Sequence, residues 1–319
     1  MTTSLNKPAE DSQTWELFER CILPVVFSHA VAIIVATVLN TLGISQISSL
    51  VLFLLFLTVS LGSTLFYHNL KVTAAGKAVL ITGWVHRIRR IWQTAHLTIG
   101  QYVESFVSLS AGLWALVNAE SWVALGECEW IPSSVLKRSV DVNFIGITRL
   151  TQVFLPLVRR SKGRVVLAGS LFARIPSPVR GIHCAVKAAV EAWGNCLRLE
   201  MRRWGVDVVI IETSEYVSGN AWLKDNASLL EQARDMWTQL EPQTRREYGQ
   251  ELFQKEMIAL EKYTLGPEAD LTQTTRALTD GIVRTFPLRR YMPVSRAERI
   301  RALLSDHLPK PIYDIIYTD

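Results

Sequence analysis

Between Cys21 and Leu70 the chain carries no Asp, Glu, Lys or Arg. A bilayer-spanning helix takes about 20 apolar residues, so this uncharged run has room for two. The pattern predicts one helix over residues 21–42 and a second over 47–67. Gly43, Ser45, Gln46, Ser48 and Ser49 supply a short polar turn between them. After residue 75 the pattern changes to short β-branched runs alternating with long amphipathic ones. Strands are predicted at 78–82, 113–118, 164–168, 207–212 and 290–294. Residues 135–160 place Val140, Phe144, Ile147, Phe154 and Val158 at mostly helical spacing, and 182–204 form a second long helix. Strand–helix–strand alternation at this spacing means βαβ units, hence a doubly wound parallel sheet with helices on both faces. Residues 221–265 break the alternation. They are helical by propensity, rich in charge, and carry Trp222, Trp237, Tyr248, Phe253 and Met257. This stretch reads either as a cover over a pocket beside the sheet or as an ordinary surface helical pair.

Charge places the apolar hairpin. Arg20 stands before it, and Lys71, Lys77, Arg87, Arg89 and Arg90 stand after it. Both flanks therefore belong on the cytosolic side of a membrane, expected to be the endoplasmic reticulum, although Glu16 and Glu19 dilute the first cluster. A buried hairpin in a soluble core is the competing reading. A cleaved signal peptide fits worse, because the apolar run follows an acidic, polar start and is too long. The net charge of +5, from 34 basic and 29 acidic residues, is too small and scattered to imply nucleic acid. Hydrophobic residues at 49% and charged ones at 20% exclude a disordered chain. The four cysteines include no C-x-x-C pair, which suits a reducing compartment and implies no metal site. The expected organisation is a cytosolic segment 1–20, two membrane helices within 21–70, and a domain over 76–319 whose helical cover spans about 217–265.

Within that domain four polar residues fall where doubly wound sheets gather ligand groups. Ser170 ends a strand, and such sheets bind ligands at their carboxyl edge. Lys187 follows His183 by four residues on a helix, so the two share one face. Asn143 lies in D-V-N-F-I-G of the earlier helix. Any one of them taken singly is more readily a satisfied structural group than a catalyst. Their order along a βαβ chain is what points to a site.

The sequence resembles the short-chain dehydrogenase/reductase family. The resemblance is carried by G-K-A-V-L-I-T-G (Gly76 to Gly83), G-L-W-A-L-V-N (Gly112 to Asn118), V-N-F-I-G (Val142 to Gly146), G-R-V-V-L-A-G-S (Gly163 to Ser170) and C-A-V-K-A-A-V-E-A (Cys184 to Ala192). L-R-L-E-M-R-R-W-G-V (Leu197 to Val206), R-E-Y-G-Q (Arg246 to Gln250) and H-L-P-K-P-I-Y-D (His307 to Asp314) are more distinctive. They resemble the cluster that holds 17β-hydroxysteroid dehydrogenase type 2, the retinol dehydrogenases and 3-hydroxybutyrate dehydrogenase. The resemblance implies a Rossmann-like fold, NAD or NADP as cofactor, and a membrane-anchored oxidoreductase acting on a lipid alcohol or ketone, steroid, sterol or retinoid-like. It implies an Asn–Ser–Tyr–Lys catalytic set, of which Asn143, Ser170 and Lys187 match while His183 stands at the Tyr. Gly83, Asn118, Lys187 and Thr213 are the implied cofactor contacts. The expected partners are a small hydrophobic substrate and membrane lipid, with no nucleic acid; a homodimer is compatible with the resemblance.

The departures gather on the cofactor side. The glycine-rich loop keeps only Gly83, followed by Trp84, Val85, His86, Arg87, Ile88 and Arg89. Bulky residues there obstruct the approach of backbone to a pyrophosphate. N-N-A-G has become Asn118-Ala119-Glu120-Ser121, and P-G has become Thr213-Ser214. Only 34 residues separate Gly83 from Asn118, where the family places two further strands. The sheet is therefore expected to hold about five strands with the first as an edge, and the adenosine half of the cofactor site is expected to be missing. The alternative function is a catalytically inactive family member that binds a lipid or a protein at the membrane. His183, with an ordinary pKa of about 6.5 lowered by Lys187, would accept a proton from an alcohol if the site is active.

Overall fold

In a computed structural model of the protein, residues 9–73, 76–83, 112–214, 226–264 and 271–317 are described. The chain divides into two compact units. One comprises Met1–Thr73 with Val283–Pro287, and the other Ala74–Ile282 with Leu288–Asp319.

The first unit is built on two antiparallel-paired helices, α1 (Ala9–Thr41) and α2 (Ser49–Asn69). Ser48 caps α2, its hydroxyl accepting the Leu50 N–H at 3.3 Å. The helices meet through small residues, which allow close approach where no water-driven burial is available. Ala32, Ala36 and Leu52 form the seam with Val35, Phe53 and Phe56, and the Ser28 hydroxyl donates to Ser60 at 3.1 Å. Leu23, Val26, Phe27, Leu54 and Val59 point outward and are exposed. Thr14–Thr41 and Ser49–Asn69 are both long and apolar enough to cross a membrane. The first helix starts earlier than hydropathy indicates, because the polar residues before Cys21 continue the helix rather than stopping it. At the far end of this unit Val72 donates its N–H to the Val283 carbonyl at 2.7 Å.

The second unit holds a parallel sheet of five strands among the described residues, in the order β1 (Val79–Gly83), β2 (Ala115–Ala119), β3 (Arg164–Ser170), β4 (Asp207–Thr213) and β5 (Arg290–Tyr291). Spatial order follows sequence order, and β1 is an edge among the described residues, as the shortened segment after Gly83 leads one to expect. The last strand is shorter than the predicted 290–294, since only Arg290 and Tyr291 pair with Ile210 and Ile211. Each face of the sheet is covered, so the strands are near-continuous hydrophobic runs. On one face Val165, Leu167, Val208 and Ile210 pack against α4 (Ile147–Arg160) and α5 (Gly181–Met201) through Ile147, Phe154, Val158, Val190 and Leu197. On the other face Val209 and Ile211 meet α8 (Thr272–Val283) at Gly281. The two-residue period of β4 thus feeds both layers. The predicted helix over 135–160 is three pieces: α3 (Ser133–Val140), a π-turn at Asp141–Gly146, and α4.

The helical stretch after the fourth strand forms α6 (Asn226–Gln239) and α7 (Pro242–Thr264), the latter kinked where Gly249 has φ +78°. Leu230, Ala233 and Met236 pack on Val123 and Leu125, which follow β2. Trp237 stacks on Phe253 with ring centroids 4.5 Å apart, and both close on Trp130. Tyr248 donates its hydroxyl to Glu129 at 2.9 Å. The chain ends with α9 (Arg296–His307) and α10 (Lys310–Tyr317). Trp222 and residues 84–89, with Arg90, lie outside the described residues.

Candidate active site

Ser170, His183 and Lys187 come together at the carboxyl end of β3. Register sets this end: Ser170 pairs with Thr213 of β4, and Thr82, Asn118 and Leu167 line up across β1, β2 and β3. Gly194 brings α5 onto the sheet, since a Cβ there would lie 2.7 Å from Leu167. Two turns earlier on the same helix Lys187 reaches the strand end, and its ammonium donates to the Ala168 carbonyl at 3.2 Å. His183, one turn earlier still, meets Phe172 edge to face with centroids 6.3 Å apart. The Phe172 N–H in turn donates to the Ser170 hydroxyl oxygen at 3.3 Å, leaving the serine proton free to donate.

Asn143 is part of the scaffold. Its Oδ1 accepts the Trp122 N–H at 2.8 Å, and its Nδ2 donates to the Trp122 carbonyl at 2.7 Å and to the Ser139 carbonyl at 2.9 Å. The amide therefore stands in for a strand partner to Trp122. The wider π-turn is what lets a side chain buried in a helical run reach a neighbouring loop. Asn118 is likewise engaged, its Nδ2 donating to Thr151 Oγ1 at 2.8 Å while Thr82 donates to its Oδ1 at 3.4 Å. Thr213 donates to the Gly169 carbonyl at 3.3 Å. Ser139, Thr151 and Phe172 were not legible as site residues, because their roles depend on contacts that no spacing encodes.

Burial dominates the electrostatics. His183 is 2% exposed and Lys187 1%. Desolvation, then the neighbouring charges of Lys187 and Arg180, lower the His183 pKa to about 3. Sequence reasoning names Lys187 as the cause; the structure puts burial first. Desolvation also brings Lys187 down to about 8. The imidazole is neutral at physiological pH and Lys187 is the group that titrates nearest it.

Two buried polar atoms at this edge have no hydrogen-bond partner among the described residues, His183 Nδ1 and Ser121 Oγ. Such orphans fit a ligand at the end of the site where Lys187 and Ser170 lie. At the β1 end the strand backbones are closely packed. Gly83, at φ +78°, sits so close to the next strand that a Cβ would lie 2.6 Å from Glu120 N and 2.7 Å from the Ala119 carbonyl oxygen. Burial pushes the Glu120 carboxyl above the usual carboxylate range, although the Gly83 backbone pulls the other way.

Behind the site runs an ionic chain from five separate elements. Arg174 binds Glu212 at 2.6 Å and also Asp306, while Arg290 binds both Glu212 and Glu191. Glu212 is fully buried, and desolvation pushes its carboxyl up to about 7 although Arg290 and Arg174 pull the other way. The Ser305 hydroxyl adds a bond to the Arg174 carbonyl at 2.8 Å. The turn after Ser170, the fourth and fifth strands, α5 and α9 are thereby held to one another.

A model of the short chain dehydrogenase family matches residues 93–224. Mitochondrial D-beta-hydroxybutyrate dehydrogenase of Bos taurus is 32% identical over 206 residues, 65% of this chain and 60% of that protein. Human 17-beta-hydroxysteroid dehydrogenase type 6 is 30% identical over 219 residues, covering 68% of this chain and 67% of that protein. Retinol dehydrogenase 16 of Mus musculus is 32% identical over 196 residues, 61% of this chain and 60% of that protein. The chain thus spans 60% of the length of the hydroxybutyrate dehydrogenases it matches.

Proposed function

Because the chain belongs to the short-chain dehydrogenase family, we propose that it is a membrane-anchored oxidoreductase acting on the CH–OH group of a lipid alcohol, or on the matching ketone. A steroid, sterol or retinoid-like substrate suits both the apolar hairpin and the names of the relatives. The observation that carries the reading is the convergence of Ser170, His183 and Lys187 at the carboxyl end of β3. NAD or NADP, when bound, supplies the hydride acceptor or donor. Lys187, Asn118, Gly83 and Thr213 would hold it. Ser170 donates its hydroxyl proton to the substrate oxygen, and the unpartnered Nδ1 of His183 provides a second polar contact. His183 acts as a neutral hydrogen-bonding group, since its imidazolium does not form until about pH 3. Proton exchange near neutral pH falls to Lys187. Asn143 is a positioning residue, holding Trp122 and the loop that carries Ser121.

The test is turnover by the full chain in detergent micelles, with steroid and retinoid alcohols and ketones and all four cofactor forms. Activity that falls by about 10²–10³ in Ser170→Ala, through loss of the donor to the substrate oxygen, and by about 10²–10⁴ in Lys187→Met, through loss of proton exchange, supports the reading. The buried, neutral imidazole at the position expected to hold a Tyr favours a second reading, a catalytically inactive family member that binds a lipid or a protein partner at the membrane. Saturable lipid binding with no turnover under any cofactor selects that second reading.

A further inference from the structure

In a parallel sheet the amino ends of all the strands lie along one edge, opposite the edge that holds Ser170 and Thr213. The segments entering the strands share that edge, and here they are strongly basic. Lys77 stands two residues before β1, Arg159 and Lys162 before β3, Arg202 and Arg203 before β4, and Arg289 directly before β5. The fold draws them together. The Arg159 guanidinium lies 4.6 Å from the centre of the Trp204 ring, and a Cβ on Gly205 would lie 3.7 Å from the Lys162 side chain. Arg203 donates to the Glu200 backbone carbonyl at 3.3 Å, a neutral partner. Burial, then the like charges of Arg289 and Arg202, hold the neighbouring Arg198 guanidinium below its ordinary pKa. Carboxylates are scarce on this edge: the described entering segments carry Glu200, and Asp207 opens β4 facing Arg164 at 3.9 Å. Basic and acidic residues nearly balance over the whole chain, 34 against 29, so it is folding that gathers positive charge here.

We infer that the amino edge of the sheet is a docking face for the anionic phospholipid headgroups of a bilayer, held there by Lys77, Arg159, Lys162, Arg202, Arg203 and Arg289. The inference rests on the reading of α1 and α2 as a membrane anchor. Three observations select a bilayer as the occupant. The charge is complementary, because clustered Lys and Arg attract the acidic lipids of a cytoplasmic leaflet. Trp204 and Leu199 stand exposed among the cations, at 46% and 58%. An indole with an apolar body and a polar N–H suits the headgroup level, which is apolar on one side and wet on the other. The tether is also short. Lys77 follows Asn69, the last residue of α2, by eight residues, so the backbone cannot carry it more than about 29 Å from that helix end.

The experiment places the full chain in nanodiscs of phosphatidylcholine alone, or of three parts phosphatidylcholine to one part phosphatidylserine. Hydrogen–deuterium exchange of residues 198–206 is followed by mass spectrometry, with 171–176 at the opposite edge as control. The expected result is exchange of 198–206 slowed at least about fivefold by phosphatidylserine, with 171–176 unchanged. The protection should vanish in the double variant Arg202→Gln, Arg203→Gln, and for wild type in about 1 M NaCl, where charges are screened beyond about 3 Å. The salt arm uses wild type, so the test does not depend on how the variant folds. Equal exchange in the two kinds of disc, or protection that survives high salt, overturns the inference and leaves the anchor reading standing. Failure of the chain to enter discs of either lipid overturns the anchor and the inference together. Protection in detergent by a single-stranded oligonucleotide, with none from phosphatidylserine, assigns the face to nucleic acid and overturns the lipid inference.

Discussion

A histidine that stays neutral down to about pH 3 cannot carry a proton as imidazolium at neutral pH. His183 therefore differs in kind from a group poised near 6.5, and the difference is measurable in stability. The unfolded chain protonates its histidines near 6.5 and the folded one resists, so unfolding takes up a proton between those values. The contribution of His183 is fully present above about pH 6.5 and drains away as pH falls toward 3. It is lost at about 1.4 kcal/mol per pH unit. Melting of the full chain between pH 7 and 4 should steepen in this window for wild type and flatten for His183→Phe. Parallel curves would show that the imidazole is solvated after all. Catalysis gives the second handle. If the chain turns over, its pH profile should show a limb near 8 belonging to Lys187 and none at 6.5. His183→Tyr should introduce a phenol whose proton Lys187 can help to release; unchanged pH dependence in that variant would remove Lys187 from proton transfer. The types and order of these residues are legible in the sequence. Their titration is not, because it depends on exclusion from water by Phe172 and the strand end, and that arises only when α5 packs on β3.

Among the elements, periodicity identifies the strands well because each is a hydrophobic run bounded by Gly or polar residues. It misplaces ends by one to three residues, since hydrophobicity marks burial and the ladder continues through polar Ser170 and Thr213. The π-turn at Asp141–Gly146 is invisible to a 3.6-residue pattern, because Ile147, Thr151, Phe154 and Val158 resume the helical face immediately afterwards. Its reason for existing is Asn143. Replacing Asn143 with Leu leaves the Trp122 N–H and carbonyl without their partner. That should destabilise the fold by about 2–4 kcal/mol, read from chemical denaturation. A loss under about 0.5 kcal/mol would mean that water or the loop replaces the amide. The ionic chain through Glu212 is equally illegible, with members at 174, 191, 212, 290 and 306 that meet only through tertiary structure. Glu212→Ala should destabilise by about 3–5 kcal/mol, because it removes the carboxylate shared by Arg174 and Arg290, leaves each with a single acidic partner, and opens a buried cavity between them. Glu212→Gln, which keeps the volume and one acceptor, should cost less. Equal losses in the two variants would assign the effect to charge and not to packing.

At the scale of the whole chain, the apolar helices and the sheet solve different problems of solvent. The sheet buries its β-branched runs under helices on both faces. In α1 and α2 a narrow seam of Ala32, Ala36 and Leu52 is buried, while Leu23, Phe27, Leu54 and Val59 face outward. An exposed apolar surface of that extent is unfavourable in water and favourable in hydrocarbon, so the outward residues argue for lipid on those faces. Helical geometry pairs backbone N–H and carbonyl groups within each segment, as a bilayer demands, with Pro24 near the start of the apolar part of α1 removing one such bond. In a bilayer, a connection as short as that through Ser45 and Gln46 would return the chain to the side it started from. Arg20, Lys71 and Lys77 then favour the cytosol for both flanks. We therefore expect the full chain to remain with membranes after alkaline carbonate extraction. A glycosylation acceptor engineered just after residue 75 should stay unmodified in microsomes. Insertion of one further apolar helix between residues 70 and 76 should move residues 76–319 to the lumen and switch the same acceptor on. Efficient glycosylation of the parent chain at that position would invert the orientation. Release by carbonate would return the helices to a soluble role, and the exposed leucines would then need a protein partner to cover them.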